Sequence, residues 1–232
     1  TDDTVAMCNQ WLVRNKENFI KTQLITTKKN TGVTGNLNRG LEIALGDWLK
    51  FIAGDDMLLS NCILDNIEFT KKHPDAKFVF SCNQYLKNNK ILPRYYYNKR
   101  FFNNENEIQY ISLLRRFRLN SITSFISKSD LISIGGYDLG IPALEDAPLW
   151  LKASMNGYKL YGFEKFTANY RIHSDNTCLN NGEKFVNINY YKSQKSLYNQ
   201  VIKAELIDKT MYICSISNYL RFKIKDLVVK RG

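Results

Sequence analysis

Two absences narrow the reading of this chain at once. No two cysteines form a Cys-x-x-Cys pair. No apolar run approaches the roughly 18 residues that span a bilayer. The five cysteines, Cys8, Cys62, Cys82, Cys178 and Cys214, are odd in number. A disulfide framework or zinc site is therefore disfavoured, and they read as reduced core thiols of a cytosolic protein. The opening Thr1-Asp2-Asp3-Thr4 is not a signal peptide. There is no Gly-Lys-Ser/Thr of a Walker A loop, no internal repeat and no low-complexity segment.

What is present suits a globular chain. It has 232 residues, enough for one large domain with a small helical appendage. Apolar residues make up 44%, so a substantial core is possible and global disorder is excluded as a class. The net charge is +11 and uneven: residues 183–232 carry ten Lys/Arg against four Asp/Glu. Such a surface favours anionic partners, namely nucleotide phosphates, anionic lipid headgroups or nucleic acid, and it also serves solubility.

Periodicity predicts a helix over 3–14 with Val5, Cys8 and Leu12 on one face, then a strand over 20–27. Thr34 is the expected N-cap of a helix carrying Leu37, Leu41, Ala44 and Leu45, with Gly46 past its end. Trp48–Ala53 reads as a strand buried on both faces. A helix bearing Ile63, Ile67 and Phe69 follows Ser60 and closes at Pro74, and Lys77–Cys82 is a further strand. This alternation implies a mostly parallel sheet covered on both sides. Asn88-Asn89 reads as a turn, Tyr95-Tyr96-Tyr97 with Phe101-Phe102 as an aromatic basic patch, and Ile108, Ile111 and Leu114 as a helical stripe. A strand over 122–126, a turn at Gly135-Gly136-Tyr137-Asp138, a helix from Asp146 to Gly157 and strands over 158–163 and 166–173 complete the region, and two helices follow from Lys184.

Chemistry concentrates where Gly54-Asp55-Asp56 follows the Trp48–Ala53 strand. In open α/β folds ligands bind outside the carboxyl ends of strands. Paired carboxylates there suit a hard divalent cation shared with phosphates, although the same residues also make an ordinary strand-to-helix turn. The Asn30–Gly40 loop lets backbone N–H groups approach a nucleotide, or simply joins a strand to a helix.

Taken in order, Asn30-x-Gly32, Asn38-x-Gly40, Ala44-x-Gly46, the aspartates at 55 and 56, Gly135-Gly136-Tyr137-Asp138, Glu145-Asp146 and Tyr170-Arg171-Ile172-His173 form a pattern. On these residues the chain resembles the family 2 glycosyltransferases over positions 1 to about 178. The resemblance implies an α/β GT-A fold, the nucleotide-diphospho-sugar transferase fold, over 1–182, with a basic helical extension over 183–232. It implies inverting transfer of a sugar from a nucleotide-diphosphate donor, most commonly a UDP-sugar, to a hydroxyl of a glycan or lipid-linked oligosaccharide in polysaccharide biosynthesis.

Residue by residue, it gives Asp146 as general base with Glu145 beside it. Asn30, Gly32, Asn38 and Asp55 become donor contacts, and Asp55, Asp56 and His173 ligands of Mn²⁺ or Mg²⁺. Trp150 and Tyr137 become acceptor-site candidates. The residues alone leave other readings open: first-turn carboxylates at 145 and 146, a structural His173, a core Trp150. Two departures stand out. Ala53 replaces the first Asp of the usual Asp-x-Asp, and Leu37 stands where a basic residue is common. Thr1-Asp2-Asp3-Thr4 is similar to the end of an Asp-Asp-Gly-Ser segment, so a strand–helix–strand unit of roughly 30 residues is expected to precede this chain in a longer protein.

The interleaved Leu220, Arg221, Phe222, Lys223, Ile224 and Lys225 suit peripheral binding to the inner face of an anionic membrane, or equally a helix packed on the domain with a solvated basic face. Two competing functions are a catalytically inactive carbohydrate-binding relative, which Ala53 permits, and a nucleic-acid-binding protein. No helix-turn-helix, zinc-finger or RNA-binding signature supports the latter, so no nucleic-acid partner is expected.

Overall fold

In the computed structural model the described residues are 2–173, apart from positions 96, 117, 118, 142 and 143, together with Lys192 and Ser196. The expected boundary at 182/183 and the basic membrane-facing stretch lie outside them. The chain divides into two compact units, residues 1–31 and 32–232.

In the first unit, α1 (Thr4–Asn15) forms as its periodicity predicts and runs into a 3₁₀ turn at Lys16–Asn18. The Trp11 ring lies 5.9 Å from that of Phe19. Residues 20–27 form no strand. Strand preference records fit to a pleated, half-buried surface, and Ile20, at 108% relative exposure, meets no such surface.

In the second unit, α2 spans Gly32–Ile43 and opens on Gly32 at φ +75. Because the helix starts three residues earlier than expected, Thr34 sits inside it rather than capping it, 1% exposed. Next come β1 (Trp48–Leu49), β2 (Met57–Leu58), α3 (Cys62–Lys72), β3 (Phe78–Lys87), β4 (Lys90–Tyr95), α4 (Lys99–Asn103) and α5 (Asn106–Arg116). A 3₁₀ turn at Ser121–Thr123 leads into β5 (Ser124–Ser127), α6 (Lys128–Ser133), α7 (Asp146–Met155) and β6 (Leu160–Arg171). The two strands expected over 158–173 are thus one long strand.

The sheet runs β1-β5-β3-β6-β2, with β4 also on β3. β3 is its hub. Phe78, Val79 and Phe80 pair with β5, while Gln84–Lys87 pair with β4 across the Asn88-Asn89 turn. Both turn residues have positive φ, 50 and 60, as a tight hairpin requires. Only β3–β6 is parallel among the described pairs, a correction to the expectation of a mostly parallel sheet. A short hairpin connection can only make an antiparallel neighbour.

Period-two alternation along β3 builds two cores. Phe78 and Phe80 face a large cluster with Leu113, Leu114, Leu149, Trp150 and Leu151 from α5 and α7. Val79 faces the other side, with Ala76, Phe125, Ile67, Phe69 and Phe163.

The Trp48–Ala53 segment is not the doubly buried strand predicted: Leu49 is buried, whereas Ile52 and Ala53 are exposed. After Leu49 the ladder to β5 stops, and the Lys50 ammonium donates to the carbonyls of Ile122 and Ser124, the latter at 2.9 Å. On α3 the fully buried face is Cys62, Asn66 and Thr70, whereas Ile63 of the predicted stripe is exposed.

Candidate active site

The Gly54-Asp55-Asp56 turn lies between β1 and β2. β2 pairs with β6 at Met57↔Asn169 and Leu58↔Ala168, which carries the turn to the end of β6. There Arg171 grips it. Its backbone N–H donates to Asp56 Oδ1 at 2.8 Å, and its guanidinium Nε–H donates to the Asp55 carbonyl at 2.8 Å. Two residues on, His173 Nε2 meets Asp55 Oδ2 at 2.8 Å. Both side chains remain accessible, 35% for His173 and 38% for Asp55. Burial pushes the Asp56 carboxyl up, and the hydrogen bond from Arg171 opposes that shift.

So two of the expected metal ligands, Asp55 and His173, meet although they stand 118 positions apart in sequence, and the third, Asp56, is the next residue of the same turn. Among the described residues no group of three or more His, Cys, Asp or Glu could hold a metal ion unaided. The donor set at Asp55 and His173 instead fits an ion that completes its shell with phosphate oxygens and water, the usual habit of hard divalent cations.

The second carboxylate pair lies in a different environment. Asp146 opens α7, and Oδ1 accepts from the Ala147 N–H at 2.6 Å. Pro148 is tolerated because it falls in the first turn, where its missing N–H has no helical partner to lose. Burial, reinforced by the charge of Glu145, pushes the Asp146 carboxyl up to about 7. Burial also raises Glu145. The fixed donor at Ala147 pulls the other way, so desolvation is the larger effect.

Tyr137 joins the two regions. It is 6% exposed and shares a core cluster with Leu144 and Ala147, which flank the pair. Its ring stands edge-on to Phe51 at 5.6 Å, four residues before Asp55. Burial, with Glu145 and Asp146 nearby, pushes its phenol well up.

Of the other expected donor contacts, Asn30 falls in the first unit and Gly32 opens α2 in the second. Asn38 is engaged by protein. Its Nδ2 donates to the Tyr137 carbonyl and its Oδ1 accepts from the Tyr137 N–H, both at 2.9 Å. Trp150 is corrected as an acceptor-site residue. At 1% exposure, edge-on to Phe80 at 4.7 Å, it has no face to offer a sugar. The ring of Tyr137 is likewise enclosed.

Three residues carry structural roles that the sequence reading does not assign: Arg171 braces the Asp55-Asp56 turn, Lys152 holds the Gly136 carbonyl, and Lys50 holds the carbonyls of Ile122 and Ser124. Arg171 lies within the Tyr-Arg-Ile-His motif, which was the available signal. Lys50, in an otherwise apolar run, was the other signal, since a lone lysine there needs partners if buried.

Comparison with known proteins fits this geometry. The Glycosyl transferase family 2 profile matches residues 1–131. The chain belongs to that family, and its fold is GT-A. It is 24% identical over 184 residues to an uncharacterized glycosyltransferase of Methanocaldococcus jannaschii, MJ1057, covering 76% of this chain and 62% of that one. It is 26% identical over 191 residues to the Escherichia coli UDP-Glc:alpha-D-GlcNAc-diphosphoundecaprenol beta-1,3-glucosyltransferase WfaP, covering 80% of this chain and 67% of WfaP.

Among solved structures, Staphylococcus aureus TarS 1-349 in complex with UDP-GlcNAc superposes with a TM-score of 0.61 at 17% identity, over 91% of this chain and 57% of TarS 1-349. Mannosyltransferase PcManGT of Pyrobaculum calidifontis, in complex with GDP-Man and Mn²⁺, gives 0.60 at 14%, over 88% of this chain and 52% of that one. The chain therefore spans between half and two thirds of the length of most of these proteins. No described helix is long and apolar enough to cross a membrane.

Proposed function

We propose that this chain carries the catalytic centre of an inverting glycosyltransferase, with a nucleotide-diphosphate sugar as donor and a glycan or lipid-linked hydroxyl as acceptor. The observation that carries this reading is the half-buried, adjacent Glu145-Asp146 pair at the start of α7. A carboxylate whose affinity for protons is raised to near pH 7 is suited to general-base work at that pH. Asp146 takes the proton from the acceptor hydroxyl as that oxygen attacks the anomeric carbon. The bond from that carbon to the diphosphate breaks, and the diphosphate leaves with the electron pair. Direct displacement on the face opposite the leaving group inverts the anomeric centre.

Asp55 and His173 hold the donor end. A divalent ion bound there supplies Lewis-acid stabilisation of the departing diphosphate. Asp56 supports the turn, since its Oδ1 is committed to the Arg171 backbone. UDP is the favoured nucleotide because WfaP is named for UDP-Glc as donor and TarS was solved with UDP-GlcNAc. The name of WfaP, with its GlcNAc-diphosphoundecaprenol acceptor, also supports a lipid-diphosphate-linked acceptor here.

Ala53 favours a second reading, a carbohydrate-binding relative without turnover. One experiment separates the two. UDP-sugars are incubated with the protein, Mn²⁺ and a GlcNAc-diphosphate lipid, and transfer is followed by mass spectrometry with Asp146→Asn alongside. Transfer by the wild type and its loss in the variant are expected. Equal turnover by both removes Asp146 from the mechanism, and donor binding with no turnover by either supports the inactive relative.

A further inference from the structure

The Gly135-Gly136-Tyr137 turn is held from two helices at once. From α2, the Asn38 amide closes both backbone hydrogen bonds of Tyr137, at 2.9 Å each. From α7, the Lys152 ammonium donates to the Gly136 carbonyl at 2.9 Å. Both glycines have positive φ, 80 and 62, where side chains are strained. A Cβ on Gly136 would fall 2.7 Å from Asn38 Oδ1. The turn is therefore fitted to the Asn38 amide. A side-chain amide that satisfies donor and acceptor of one residue 99 positions away acts like an added rung of secondary structure.

We infer that Asn38 is a positioning residue for the catalytic carboxylates: by locking the turn that α7 also grips, it fixes the start of α7, with Glu145 and Asp146, relative to α2. The inference rests on the reading of Asp146 as the base, and it gives Asn38 a different task from nucleotide contact. The Asn38 amide has one Nδ2 and one Oδ1, and both already face the Tyr137 backbone. The titratable group that faces the pair from the turn is the Tyr137 phenol, while Lys152 and Asp138 interact with each other. Loss of the Asn38 grip loosens Tyr137, admits water beside the pair and removes the burial that holds the Asp146 proton.

The test follows side-chain carboxyl ¹³C signals of the full chain through a pH titration, with Asp146 assigned by its loss in Asp146→Asn. In the wild type its midpoint is expected near 7. Asn38→Ala is expected to bring it down by at least one pH unit while the dissociation constant for UDP with Mn²⁺, measured by calorimetry, stays within about twofold. Asn38→Asp keeps the acceptor for the Tyr137 N–H and loses the donor, so an intermediate midpoint is expected. This isosteric variant serves alone if Asn38→Ala fails to fold. A midpoint at the wild-type value in both variants overturns the inference, whatever the UDP affinity does. Failure of UDP to bind the wild type strikes the donor assignment instead, and full activity of Asp146→Asn strikes the base assignment.

Discussion

Asp55-Asp56 and Glu145-Asp146 are both adjacent acidic pairs, yet their surroundings differ sharply. The first sits in an accessible turn among cationic or N–H donors: His173 on Asp55 Oδ2, and the Arg171 N–H on Asp56 Oδ1. The second is half-buried, flanked by the buried Leu144 and Ala147 with the Tyr137 phenol nearby, and Asp146 Oδ1 accepts from the Ala147 N–H. An accessible pair near an imidazole suits a cation and phosphate. A desolvated pair with no cation holds a proton. The same side-chain chemistry is thus set among different partners, the logic by which one fold gives two carboxylate pairs different tasks.

The sharpest way to break this comparison is to neutralise the Glu145-Asp146 pair. Asp146→Asn is expected to lower kcat by about 10²–10⁴-fold, the range of general-base assistance, with donor affinity retained. Steady-state kinetics with a UDP-sugar, Mn²⁺ and a GlcNAc-diphosphate lipid checks it. The converse substitution, Asp55→Asn, is expected to leave the Asp146 titration intact and to abolish Mn²⁺-dependent stabilisation by UDP. In the wild type that stabilisation reaches about 2.7 kcal/mol at a hundredfold excess over the dissociation constant. Thermal unfolding with and without EDTA reads it. If Asp55→Asn and wild type respond alike, the metal is not at this turn.

A third measurement uses pH. Asp146 has a folded pKa raised from 3.8 to about 7. Below both values the group is protonated in folded and unfolded chains. Between them the folded state holds a proton that the unfolded state lacks, so its contribution to stability falls as pH rises from about 4 to about 7. Two outcomes follow: kcat/KM rises through that upper value, and Asp146→Asn unfolds at a higher temperature than wild type at pH 8 but not at pH 4. A variant destabilised at pH 8 would show that the carboxylate is better solvated than its surroundings indicate. The smallest expected effect is at Gly136→Ala. Left-handed backbone and the contact with Asn38 are expected to cost about 1–3 kcal/mol, read from denaturant midpoints.

Much of this was legible beforehand, and the reason is locality. α1, α7, the Asn88-Asn89 hairpin and the double-glycine turn rest on periodicity or on φ > 0, which neighbouring residues decide. Features set by distant partners were not. The stretch at 20–27 has strand-forming residues but no ladder. The Trp48–Ala53 run looked doubly buried, yet its ladder ends after Leu49 and Lys50 takes up two carbonyls of the segment before β5. Trp150 shares a helix with Asp146 and looked able to reach a sugar, but α7 turns it onto Phe80 in the core.

Composition and motif order by themselves determined the family, the α/β class and the carboxylates worth testing, because residue types and spacings survive without coordinates. Only the tertiary structure decided which protein groups meet each pair: His173 and Arg171 at Asp55-Asp56, Tyr137 and the Ala147 N–H at Glu145-Asp146. It also showed that Asn38 faces Tyr137 and that Arg171 braces the Asp55-Asp56 turn. Burial and hydrogen bonding between residues about a hundred positions apart arise from packing, and no local pattern encodes them.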